Sequence, residues 1–252
     1  MSIKTFRKSA FFLVLTLAPL FAQSQDRVQV NIPTLEAETE YIWRTIIDTR
    51  FFEENNYQVS LPNGELIESL KQKAKSNSLS DADYEDLKDF MQKGVYNPSD
   101  YQRGYQNIEA QLVLVNKMIA EIGSMNLDWN FKEFDIYTVN LTLYGPGGSY
   151  NPDEGSLLIY TTIDGRFKQY DNPAHTLIHE VVHMGIEASI VQKYNVPHPL
   201  KERIVDTFVS LCFRELLPDY RIQNMGDTRT DPFLKNKADL AKLDALVEQV
   251  LR

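Results

Sequence analysis

The sequence predicts an α+β chain on three observations. Helical periodicity dominates residues 34 to 123; two later stretches, Asp135 to Tyr144 and Ser156 to Ile163, carry strand patterning; and His179-Glu180-Val181-Val182-His183 sits between helix start and stop signals. With 252 residues, 43% of them hydrophobic, the chain can form one sizeable domain or two small ones around an ordinary buried core.

Residues 1 to 22 stand apart. Lys4, Arg7 and Lys8 precede an apolar run from Ala10 to Phe21, and Ala22 is a small residue suited to cleavage. This is the pattern of a cleaved export signal, and the run is too short to span a bilayer comfortably. The expectation is a periplasmic or secreted protein with no stable membrane anchor after cleavage. Losing these residues removes three of the 26 basic and none of the 35 acidic groups, so the net charge moves from -9 to -12. An acidic surface of this kind speaks against a nucleic-acid partner and against a basic membrane-surface helix. Cys212 is the only cysteine, which excludes an internal disulfide; its setting, Phe208-Val209-Ser210-Leu211-Cys212-Phe213, marks it as a small buried hydrophobe.

Taken in order, residues 23 to 33 read as a loose lead-in. Thr34 caps a helix to about Phe52 whose apolar stripe includes Ile42, Trp43, Ile46 and Phe51. Leu61-Pro62-Asn63-Gly64 is a turn, a polar helix follows to about Lys75, and Ser80 with Asp83 opens another that Gly94 closes. Asn97 and Pro98 begin the most periodic stretch, with Tyr101, Tyr105, Ile108, Leu112, Val115, Ile119 and Ile122 at spacings of four and three, stopped by Gly123. Residues 23 to 130 are thus a helical N-terminal layer that shows no chemistry. In Asp135 to Tyr144, Tyr137, Val139, Leu141 and Leu143 alternate with Ile136, Thr138 and Asn140, as a half-buried strand requires. Gly145-Pro146-Gly147-Gly148-Ser149 is a turn or loop, and a second strand runs from Ser156 to Ile163. Asp171 or Asn172 caps the histidine helix, Pro173 occupies its first position, and Asn195-Val196-Pro197 ends it. Pro199 opens the next helix, Pro218 stops it, and Ala238 to Leu251 forms a final amphipathic helix.

The histidine pair carries the chemistry. On a helix, residues i and i+4 share a face about 6 Å apart along the axis, so both imidazoles can reach one metal ion; on a strand they cannot. A catalytic zinc needs three protein ligands and an open position for water. Glu202, on the next helix, is the best third ligand, and Asp206 one turn later can hold a ligand imidazole in orientation. His175 and Glu187 share the histidine helix, but ligands at i, i+4 and i+8 spread over roughly 12 Å and cannot converge. Glu215 and Asp219 repeat the same spacing, with Pro218 breaking the helix that would align them.

His179-Glu180-Val181-Val182-His183 followed by Glu202-Arg203-Ile204-Val205-Asp206 resembles the gluzincin pattern of thermolysin-like and neprilysin-like metallopeptidases, H-E-x-x-H and then E-x-x-x-D. The resemblance covers residues 172 to 216 well, the preceding strands loosely and the N-terminal helices not at all. It implies that His179, His183 and Glu202 bind zinc, that Glu180 is the general base and that Asp206 supports the ligands. It also implies a zincin-like core over residues 131 to 252, a small sheet packed on the two helices, with an edge strand near Ser156 to Thr161 along a peptide or protein substrate. Lys201 stands where an Asn usually precedes the ligand Glu, a departure from the thermolysin branch.

The function expected is an exported zinc peptidase in which Glu180 takes a proton from water and passes it to the leaving amine. Tyr194 and His198 are candidate donors to the developing oxyanion. The alternative is a non-catalytic envelope binding protein that keeps the zinc site, or the histidine pair, for structure or for a partner.

Overall fold

In a computed structural model, which describes residues 26–54, 56–167, 172–223 and 227–252, the chain is α+β with one small mixed sheet. The proposed export signal lies outside the described residues, and so does Asp171.

The elements are β1 (Val28–Asn31), α1 (Leu35–Ile47), α2 (Thr49–Glu54), α3 (Glu65–Lys75), α4 (Asp81–Phe90), α5 (Gln102–Glu109), α6 (Leu112–Gly123), β2 (Tyr137–Thr142), β3 (Ser149–Asn151), β4 (Ser156–Tyr160), α7 (Pro173–Ile186), α8 (His198–Phe213) and α9 (Leu243–Leu251). Most starts follow the sequence signals. The Thr34 hydroxyl accepts from Ala37 N, Ser80 and Asp83 form a reciprocal box, and Asn172 accepts from Ala174 N ahead of Pro173. Two long helices expected from periodicity are broken instead: α1 stops at Asp48 before the short α2, and the stripe from Pro98 to Gly123 bends at Ala110 and Gln111. An apolar stripe can continue in phase across such a bend, so periodicity does not reveal it.

The sheet order is β1-β2-β4-β3. β1, expected to be loose, pairs in parallel with β2, Val28 against Tyr137 and Asn31 against Asn140. β2 and β4 are also parallel, Thr138 against Ser156 and Thr142 against Tyr160. The three-residue β3 runs antiparallel to β4, Tyr150 against Leu157. β4 therefore lies inside the sheet. The edge expected near Ser156 to Thr161 is supplied by Ser149–Asn151, which begins at the last residue of the glycine-rich loop expected over Gly145 to Ser149.

One face of the sheet, Tyr137, Val139, Leu141, Leu157 and Ile159, is buried in a core shared with α5, α6, α7, α8 and α9. Residues on both sides of position 130 build this core. A second, smaller cluster joins Ile42 and Ile46 of α1 to Ile67, Leu70, Leu87 and Met91. The two are tied by Glu38, whose buried Oε1 accepts from Tyr101 OH (2.8 Å), Thr142 Oγ1 (3.0 Å) and Leu143 N (3.0 Å). Gly145 makes the same junction sterically: φ is +96°, and a Cβ there would meet the Tyr41 hydroxyl at 2.2 Å. Cys212 is half-buried beside Met125, and burial pushes its thiol up to about 12, which disfavours the thiolate. Among the described residues, no helix is long and apolar enough to cross a membrane.

Candidate metal centre

α7 is buried along its whole length, because Leu177, Ile178, Val181 and Val182 pack into the main core while the histidines face α8 and a cleft. After α7 a wider helical turn over Glu187–Gln192 leads to Asn195, whose φ of +50° ends the helix and returns the chain into α8. This return brings Glu202 and Asp206, both buried, against the histidines.

Three donor atoms converge. His179 Nε2 and His183 Nε2 are 3.0 Å apart; Glu202 Oε2 is 3.2 Å from the second and 3.4 Å from the first. Ligands about 2.0 to 2.1 Å from a tetrahedral ion lie about 3.3 Å from one another, so the triangle has the dimensions of three metal bonds. The buried group His179, His183 and Glu202 can thus hold a metal ion.

The orientation of His179 is fixed from behind. Tyr220 OH donates to Asp206 Oδ1 at 2.7 Å, and Gln223 N donates to Asp206 Oδ2 at 2.6 Å. With its proton committed to Asp206, the Tyr220 oxygen at 2.8 Å must accept from His179 Nδ1, which is also 3.2 Å from Asp206 Oδ1. His179 therefore carries its hydrogen on Nδ1 and turns the Nε2 lone pair toward the triangle. His183 is held by packing, its ring stacked on Tyr150 at 5.0 Å and 10°. Its Nδ1 is buried with no hydrogen-bond partner among the described residues.

The charges suit a cation. Burial opposes charge on His179, but its bonds to Asp206 and Glu202 outweigh that and raise it to about 10. Burial likewise works against ionised Glu202, and the two imidazoles overcome it and hold the carboxyl well below the usual range. Burial pushes His183 down to about 4 and Glu180 up to about 7. The carboxylates that favour a charged imidazole at His179 would equally favour a cation held at its Nε2, where the ion takes the lone pair in place of a proton.

The open side is a cleft of about 570 Å³ lined by the three donors, Glu180, Gly148, Tyr150 and Lys201 among others. Glu180 Oε1 sits where a Cβ on Gly148 would meet it at 2.8 Å, so the missing side chain leaves the carboxylate its place.

Every residue of the expected set, His179, His183, Glu202, Glu180 and Asp206, is brought to this site. His198 lines the cleft, with Nδ1 3.5 Å from Glu202 Oε1; Tyr194 lies outside it under the Lys193 ammonium. Glu215 and Asp219 are exposed, and His175 is buried against Tyr220. Tyr150, Tyr220 and Gln223 escaped sequence reasoning because they come from segments without periodic signal. A tyrosine two residues past Pro218 carries no local mark of where it will fold back.

Fold and site together define an α+β protein with a buried, cleft-facing group of two histidines and one glutamate. No family model matches the chain, and neither the curated proteins nor the solved structures contain a match.

Proposed function

We propose that this chain is an exported, single-zinc metallopeptidase of gluzincin type with a zincin-like core. The observation that carries the proposal is the triangle of His179, His183 and Glu202 with its fourth side open to a cleft that holds Glu180. A site serving only structure usually closes with four protein ligands, often cysteines; the group here has three and no cysteine.

Bound there, zinc would supply Lewis acidity, easing ionisation of a water and polarising a scissile carbonyl. The remaining work falls to the chain. Glu180, raised by burial into the range of a general base, accepts the proton of the attacking water and delivers it to the departing amine. Asp206 and Tyr220 keep His179 in the required tautomer. β3, the sheet edge at the cleft, offers backbone groups to an extended peptide or protein substrate, which Tyr150 flanks. Export rests on the basic start and apolar run of residues 1 to 22, and a mature N-terminus found uncut would remove it.

The test is Glu180→Gln in the zinc-loaded protein. Zinc content should be unchanged and casein hydrolysis abolished; hydrolysis equal to wild type would end the general-base assignment. Glu202→Ala should lower zinc occupancy far more than Glu215→Ala.

A further inference from the structure

Resting on the peptidase proposal above, we infer that Lys201 is the electrostatic catalyst of this site: its ammonium donates a hydrogen bond to the carbonyl oxygen of the scissile peptide as negative charge develops there. Tyr150 and Glu187 are the positioning residues that hold the ammonium in place.

Such a donor is needed because water attack forms a C–O bond and moves the carbonyl electron pair onto oxygen. Collapse then breaks the C–N bond and returns that pair, with the proton travelling from water through Glu180 to the amine. Lys201 serves only as a hydrogen-bond donor, and no atom is transferred to or from it.

Lys201 is the only lysine or arginine among the described residues lining the cleft, and its side chain is only 18% exposed. It lies in the first turn of α8, beside the ligand glutamate, with Nζ 3.8 Å from Glu202 Oε1. A chain of contacts fixes it from the other side. Nζ donates to Tyr150 OH at 3.2 Å and stands 5.5 Å from that ring's centroid; Tyr150 OH in turn donates to Glu187 Oε2 at 2.8 Å. Tyr150 is stacked on His183, so one ring registers the ammonium against a metal-binding imidazole. Burial and Glu187 both keep the phenol protonated, which leaves its oxygen free to accept from Lys201.

The rivals are placed for other work. Tyr220 commits its hydroxyl to Asp206 and His179. Tyr194 is outside the cleft, and the His198 side chain is 51% exposed. A preorganised ammonium beside the metal group, largely buried and held by Tyr150, is an arrangement in which a donor acts strongly on developing charge.

The experiment compares wild type, Lys201→Met, Lys201→Arg and Tyr150→Phe as zinc-loaded full chains. The substrate is a casein-derived peptide that wild type cuts, and the probe is its phosphonate isostere at the scissile bond. Lys201→Met should lower kcat roughly 100-fold with KM within about threefold, and Tyr150→Phe roughly 10-fold. In the Glu180→Gln background the same Lys201 change should weaken phosphonate binding by a similar factor, while zinc affinity and affinity for the uncut peptide hold steady. Lys201→Arg should restore part of both.

Wild-type kcat in Lys201→Met, or a loss confined to KM for peptides with a free C-terminal carboxylate, overturns the donor role and leaves the peptidase assignment standing. Loss of zinc in Lys201→Met also overturns it, since the residue would then be supporting the ligands. A wild type that binds zinc and cuts no peptide overturns the peptidase proposal and this inference with it.

Discussion

Asp206→Asn tests the logic of the metal group without touching a ligand. The carboxylate is fully buried and uses both oxygens, Oδ1 for Tyr220 OH at 2.7 Å and Oδ2 for Gln223 N at 2.6 Å. Asparagine has one oxygen. If that oxygen faces Gln223, the amide NH₂ faces Tyr220, which must then accept from it and donate to His179 Nδ1. His179 would have to carry its hydrogen on Nε2, the atom 3.0 Å from His183 Nε2, where it blocks the metal. If the oxygen faces Tyr220 instead, the NH₂ confronts the Gln223 N–H and two donors are left buried together. Either way one charge-assisted hydrogen bond is lost, about 1.5–3 kcal/mol. At about 1.4 kcal/mol per factor of ten this weakens zinc binding roughly 10- to 100-fold. Competition against a chelator of known zinc affinity measures it, with circular dichroism to confirm the fold. Asp219→Asn, on the exposed surface, is the control and should change nothing. A folded Asp206→Asn protein that holds zinc within about twofold of wild type would refute the tautomer argument.

Two further outcomes follow from the geometry. In Gly148→Ala the new Cβ meets Glu180 Oε1 at 2.8 Å, so the carboxylate must swing aside; zinc affinity and melting temperature should hold while kcat falls roughly 10- to 100-fold, and an unchanged kcat would show that Gly148 does not set the place of Glu180. Glu38 concerns stability: burial raises its pKa against the pull of the Leu143, Tyr101 and Thr142 hydrogen bonds. A folded-state pKa above the unfolded value of about 4.3 means that stability is greatest below that pH and declines as pH rises toward the folded value. Glu38→Gln keeps an oxygen for the three donors and removes the titration. Its urea midpoint should therefore vary less with pH above about 4 than that of wild type; equal slopes would show that Glu38 titrates as it does in the unfolded chain.

What the sequence by itself determined is local. The histidine spacing, the Asn172 cap with Pro173, the stop at Asn195 and the one-turn separation of Glu202 and Asp206 all act within a few residues. They place two imidazoles on one helix face and two carboxylates on the next. The alternation in Tyr137 to Leu141 marked a strand for the same reason. The tertiary structure decided everything that depends on distant partners. Val28–Asn31 becomes a strand only because β2, more than a hundred residues later, accepts it in parallel, and no hairpin turn announces such a pairing. Ser149–Asn151 takes the sheet edge by folding back on β4, which moves β4 inside. Tyr220 and Gln223 reach Asp206, and Tyr150 reaches His183 and Lys201, through loops that carry no periodic signal. Caps and periodicity are satisfied within a turn or two of chain, whereas strand order and the approach of a loop to a buried carboxylate are fixed only when the whole core closes.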